Sequence, residues 1–189
     1  MNNPKLLYIE DDAQQREALH HQLQDKGFAV FAAASGKQVL RYLKKNDVDA
    51  IVCDLHMPGM SGLEVLQRAL EIEPDIPFVL LTANATVPEA IEALKIGAFD
   101  FLQKPVDIDH LLNTITNAIE HRALENQLKD YSRNLEMMVR ERTEKLEYTN
   151  RQLTALNNVS NIFTQIFDED ALYDDVPHLL CHSLDFDRS

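Results

Sequence analysis

The sequence predicts an α/β fold: a doubly wound parallel sheet of five βα units, (βα)5, in the order 2-1-3-4-5, running on into a long C-terminal coiled-coil helix. Three observations predict it. Short apolar runs alternate with helix-period segments from Lys5 to about Ile115. Such runs suit parallel strands buried on both faces, and right-handed crossovers leave few topologies for five units. All five glycines and six of the seven prolines lie at or before Pro105, so the turns are confined to this part. From Val106 to Val176 there is neither, and Leu, Glu, Arg, Asn and Gln abound, a composition with helix propensity and no breaker.

The elements follow in order. Lys5 to Ile9 reads as a strand, and Ala13 to Lys26 as a helix with Leu19 and Leu23 on one face and Gly27 as its stop. His20 and His21, adjacent on that helix, point to different sides and read as surface residues, not metal ligands. Phe28 to Ala32 is the second strand. Ser35 is placed to cap a helix through Val39, Leu40 and Leu43. Ala50 to Cys53 is the third strand, Ser61 to Ile72 the third helix, Pro77 to Thr82 the fourth strand and Pro88 to Ile96 the fourth helix. Phe99 to Gln103 is a short fifth strand, and Asp107 opens a helix through Leu111, Leu112 and Ile115.

This topology brings four strand ends together. The first strand ends in Glu10-Asp11-Asp12, the third in Asp54, the fourth in Thr82-Ala83 and the fifth in Lys104-Pro105. Open α/β sheets bind ligands at that edge. Asp54, followed by Pro58-Gly59, stands at a rigid turn, where a carboxylate acts as nucleophile, metal ligand or structural cap. Clustered acids repel unless a cation joins them, and hard oxygen ligands suit Mg²⁺. A carboxylate can also form an acyl phosphate, and Lys104 supplies a compact positive charge for a phosphoryl oxygen. The Thr82 hydroxyl and Ala83 N–H add donors, so the set provides the positioning and neutralisation that phosphoryl transfer needs. Each residue alone has a plainer reading: Asp54 as a turn starter, the acidic trio as a helix N-terminus, Thr82 as a cap, Lys104 as a solvated lysine, Phe101 as core.

Glu10-Asp11, Asp54 with Met57-Pro58-Gly59 and Gly62, Thr82-Ala83, Gly97-Ala98-Phe99-Asp100-Phe101 and Lys104-Pro105 together resemble the receiver domain of two-component response regulators, across roughly residues 4 to 121. The resemblance implies that Asp54 accepts a phosphoryl group from the phosphohistidine of a cognate histidine kinase or phosphotransfer protein. It implies a Mg²⁺ site made by Asp11, Asp54 and the backbone carbonyl of His56, with Glu10 contributing directly or through water. Thr82 and Lys104 would sense the phosphate, and Phe101 would be an aromatic switch moving with Thr82. The Lys104–Pro105 bond would be cis, as in the family. The first acidic position is Glu rather than Asp, a variant that bears on the metal geometry.

Composition narrows the alternatives. A net charge of −13 over 189 residues argues against non-specific nucleic-acid binding. No apolar run approaches a membrane span and the N-terminus lacks a signal segment, so a cytoplasmic protein is expected. Cys53, within an apolar strand, reads as a small core hydrophobe, and with Cys181 it suggests no disulfide framework. Ser35-Gly36-Lys37-Gln38 lacks the glycine and hydroxyl of a P-loop. His121-Arg122-Ala123-Leu124 does not resemble a kinase phosphoacceptor box, there is no room for an ATP domain, and His56 stands where a DxD phosphatase would need its second Asp. A conventional enzyme is therefore not expected. A receiver fold used only as a phosphorylation-independent scaffold is the competing reading, and the full set of Glu10, Asp11, Asp54, Thr82 and Lys104 argues against it.

The helical half continues the last helix. Leu124, Leu128, Tyr131 and Leu135 form one apolar stretch, and Val139, Arg142, Leu146, Thr149, Leu153, Leu156, Ser160, Phe163 and Phe167 form a second. Two successive four-residue steps at Tyr131, Leu135 and Val139 are a stutter, a local unwinding of a coiled coil. Polar seam residues weaken a coiled coil but set its register. A helix over 107–167 would be ~90 Å long at 1.5 Å per residue; nothing that long stands alone, so a parallel homodimer through residues 107–167 is expected over the alternative, a helical hairpin folding back on itself, which no Gly, Pro or Asn-Gly turn supports. Arg140 to Leu146 looks like the signalling helices that join input modules to outputs. Asp168-Glu169-Asp170 is expected to break the helix and cap a new one from about Ala171 to Leu184, and Leu156 to Ser189 weakly resembles the opening of a GAF domain. The expected organisation is a receiver domain over 1–121, a coiled-coil signalling helix over 122–167, and a short helix over 168–189 that begins a missing output module.

Overall fold

A computed structural model describes residues 3–83 and 86–183, with side chains through Ile162 and at Thr164. Five βα units follow one another: β1 (Lys5–Ile9), α1 (Ala13–Asp25), β2 (Ala29–Ala33), α2 (Gly36–Leu43), β3 (Ala50–Asp54), α3 (Gly62–Ile72), β4 (Phe78–Thr82), α4 (Val87–Ile96), β5 (Asp100–Gln103) and α5 (Ile108–Ser183). The strands form one parallel sheet in the order β2-β1-β3-β4-β5, as expected. Strand side chains alternate between faces, and the sheet has a core on each. Leu7, Ile9, Ile51, Cys53 and Leu80 pack with Val39, Val65, Leu66 and Ala93 on one face. Leu6, Tyr8, Val52, Val79 and Leu81 pack with Leu23, Leu111 and Ile115 on the other.

Local chemistry sets the ends. The Asp12 carboxylate accepts from the N–H groups of Gln14 and Gln15 at 2.8 and 2.9 Å, capping α1. Capping boxes Ser61/Glu64 and Thr86/Glu89 start α3 and α4, and Gly97, at φ 119°, ends α4 in the left-handed region. Ser35 holds the N-cap position of α2 but makes no side-chain cap bond; the Gln38 side chain instead accepts from the Ala34 N–H at 3.1 Å. The second strand begins at Ala29, one residue later than expected, because the Phe28 N–H is spent on the Leu23 carbonyl at 3.2 Å, closing α1. His20 is half-buried with an unpartnered Nδ1, unlike the expected surface residue, whereas His21 is exposed.

The compact N-terminal unit extends through Lys129. The Arg122 guanidinium donates to the Val48 carbonyl at 2.8 Å and to the Glu73 carboxylate at 2.6 Å. One turn pair further on, Lys129 meets Asp75 at 2.8 Å. Both tie α5 to the end of the sheet opposite Asp54. From Asp130 the second unit is the rest of α5. The helix passes through Asp168-Glu169-Asp170 without the expected break: three carboxylates leave every backbone donor of the helix intact. The side chains of Phe163 and Phe167, expected on the apolar seam, lie outside the described residues.

Candidate functional site

The sheet order places the ends of β1 and β3 side by side, with Ile9 paired to Cys53, so Glu10 and Asp54 leave adjacent strands at the same edge. Asp54 is paired with Leu81, and Thr82 with Gln103, which brings the residue after β5 to the same place. Lys104 closes the group. Its ammonium donates to Asp54 Oδ2 at 2.7 Å, to Glu10 Oε2 at 2.5 Å and to the Gln15 side-chain oxygen at 3.2 Å. The Lys104 N–H bonds the Thr82 carbonyl at 2.7 Å, and the Lys104–Pro105 bond is cis, as expected. Gly62 lies beneath: a Cβ there would come within 2.5 Å of the Asp54 carbonyl oxygen. A glycine lets α3 approach the end of β3 this closely.

The acidic trio divides its labour. Glu10 is fully buried, Asp11 is exposed beside it, and Asp12 is committed to the cap of α1. Ligand atoms of Glu10, Asp11 and Asp54 lie within 4.8 Å of one another. Three carboxylates faced by one lysine form a hard oxygen donor set with charge to spare, the chemistry a small divalent cation suits. Burial, and then the nearby Asp54 charge, raise the pKa of Glu10 in spite of Lys104. Burial also opposes the Lys104 ammonium, but the hydrogen bonds to Asp54 and Glu10 prevail and raise its pKa.

The other expected residues take their places around this group. The His56 N–H donates to Asp54 Oδ1 at 3.2 Å, while its imidazole lies outward, 3.8 Å from Glu89 at the start of α4. Thr82 is fully buried at the end of β4. Phe101 is half-buried against the core face that contains Leu80, its register partner. Three contacts escaped sequence reasoning. The Arg16 guanidinium holds the carbonyls of Glu10 at 2.7 Å and Asp11 at 3.0 Å, Gln15 shares Lys104, and the Tyr8 hydroxyl donates to Glu10 at 3.2 Å. The signals were faint: an arginine one turn into a helix that follows an acidic strand end, and a tyrosine two places before the first acid.

A family model, Response regulator receiver domain, matches residues 6–116. The chain belongs to that family. As a receiver domain it is 35% identical over 121 residues to the C4-dicarboxylate transport transcriptional regulatory protein DctD of Rhizobium meliloti, a match that covers 64% of this chain and 26% of the relative. The receiver thus spans about a quarter of that relative's length. A response regulator from Burkholderia pseudomallei, solved with a phosphorylated aspartic acid, calcium ion and citrate, is similar at TM-score 0.58 and 30% identity over 65% of this chain and 73% of that one. The beryllofluoride-activated NtrC4 receiver domain dimer is similar at TM-score 0.60 and 27% identity, covering 62% of this chain and 98% of that one. Among the described residues, no helix is long and apolar enough to cross a membrane.

Proposed function

We propose that the chain is a phosphoacceptor signalling module of a two-component system. Asp54 attacks the phosphorus of a phosphohistidine on a cognate histidine kinase or phosphotransfer protein. An O–P bond forms as the P–N bond breaks, and the imidazole departs with the electron pair. The observation that carries this reading is Lys104 bridging Asp54 and Glu10 at 2.7 and 2.5 Å beside exposed Asp11. Glu10, Asp11, Asp54 and the His56 backbone would hold Mg²⁺, which supplies charge neutralisation for the incoming phosphoryl group. Lys104 then exchanges a carboxylate for a phosphoryl oxygen, and the Thr82 hydroxyl and Phe101 respond to that exchange. The module catalyses its own phosphorylation and hydrolysis and is otherwise regulatory, in the cytoplasm, with neither nucleic acid nor membrane as partner of this part.

The state passes through a homodimeric coiled coil over 107–167 to an output module. Its support is the apolar seam left open along the helix: Leu128, Leu146 and Leu156 are each more than half exposed. The test of the reading is chemical. Acetyl phosphate or beryllofluoride with Mg²⁺ should modify or occupy the wild type and leave Asp54→Asn unchanged. Equal labelling of both would end it.

A further inference from the structure

Strand geometry places residues two apart on one face, so Tyr8 and Glu10 share a face of β1 and its extension. Both are fully buried, at 1% exposure each. The Tyr8 hydroxyl and the Lys104 ammonium reach the same carboxylate atom, Oε2 of Glu10, at 3.2 and 2.5 Å. Two donors on one carboxylate oxygen restrain a side chain that has one more torsion than aspartate. We propose that Tyr8 is a positioning residue for Mg²⁺: by holding Oε2 of Glu10 from the core side, it orients the carboxylate so that Oε1 is presented to the cation beside Asp11 and Asp54. This rests on the metal reading of the site given above.

The chemistry supports a fixed donor. A phenol is protonated, and so able to donate, well above neutral pH. A phenylalanine would fill the same core volume among Leu6, Leu23, Val52 and Leu111. Core filling alone would therefore leave Tyr8→Phe indistinguishable from wild type in metal binding. A lost orienting bond instead frees Glu10 to adopt rotamers that must be reordered when the cation binds.

Mg²⁺ titration by calorimetry tests this on the whole chain. Tyr8→Phe should raise the Mg²⁺ Kd about three- to tenfold, the scale of the net contribution of one hydrogen bond. In a Glu10→Gln background the same substitution should change Kd no further. An unchanged Kd in folded Tyr8→Phe, or the same rise in the Glu10→Gln background, would overturn the proposal while leaving the metal site standing. No Mg²⁺ binding by wild type would overturn the site reading and this inference together. If Tyr8→Phe does not fold, the Cζ resonance of Tyr8 in ¹³C-tyrosine wild type decides. It should shift on Mg²⁺ addition in wild type and stay in place in Glu10→Gln; no shift in wild type would refute the link.

Discussion

At the scale of the residue, the site is a balance between like charges and one cation. Glu10 and Asp54 face each other across Lys104, so removing one carboxylate relieves repulsion. Asp54→Asn should raise stability without Mg²⁺ by about 1 kcal/mol in urea unfolding, and should lose most of the Mg²⁺-induced rise in Tm. Lys104→Ala should do the reverse, leaving buried Glu10 without its cation at a cost on the order of 3 kcal/mol. The pH dependence follows from the raised pKa of each partner. Lys104 sits above its ordinary 10.5 in the fold, so its bridge contributes fully below 10.5 and is lost as pH rises through the folded value. Glu10 also binds its proton more tightly in the fold, so its contribution is complete below 4.5 and fades as pH climbs from there. Mg²⁺ should therefore raise Tm more at neutral pH than at pH 4.5, measured by thermal unfolding with and without the ion. Asp54, Glu10, Asp11 and Lys104 were legible as chemistry because each ends a strand. The contacts of Tyr8 and Arg16 were not, because they depend on where a side chain reaches, which no pattern of residue types encodes.

At the scale of the element, caps and close approaches decide where each helix sits. Alternation and breakers placed every strand and helix of the sheet, and the errors fell at ends. Phe28 has the look of a strand residue, yet its N–H closes α1. Gly62 brings α3 against the end of β3. Gly62→Ala would drive a Cβ to 2.5 Å from the Asp54 carbonyl and 2.8 Å from Leu55 Cα. It should destabilise by about 2 kcal/mol through overpacking against backbone and weaken beryllofluoride binding, both readable by thermal shift. Arg122 anchors α5 at the opposite end of the sheet through Val48 and Glu73. Arg122→Ala should cost about 2 kcal/mol in urea unfolding and increase amide exchange in α5 around residues 119–129. This anchor was invisible in the sequence: Arg122 follows His121 in a helix with no stop signal, and its partners lie in the segments flanking β3 and β4.

At the scale of the whole molecule, the exposed seam carries the prediction. Leu153 and Leu156 are about half exposed or more on the isolated chain. Wild type should sediment as a dimer, and Leu153→Glu with Leu156→Glu should sediment as a monomer with an unchanged receiver Tm, since charged seam residues oppose association. Disulfide crosslinking of cysteines placed at Leu135 and Leu146, with and without beryllofluoride, should give different patterns if the stutter transmits the state. The sequence by itself determined the strand order, the edge where Asp54 stands and the helical character of the chain over 108–167, because apolar periodicity, Gly and Pro positions and crossover handedness act locally or through simple topology. Only the tertiary structure decided which atoms of Glu10 are occupied, by Tyr8 and by Lys104 from β5's end. It also decided that α5 stays anchored as far as Lys129. Those contacts join residues from distant parts of the chain, and their geometry exists only once the sheet has brought them within hydrogen-bond reach.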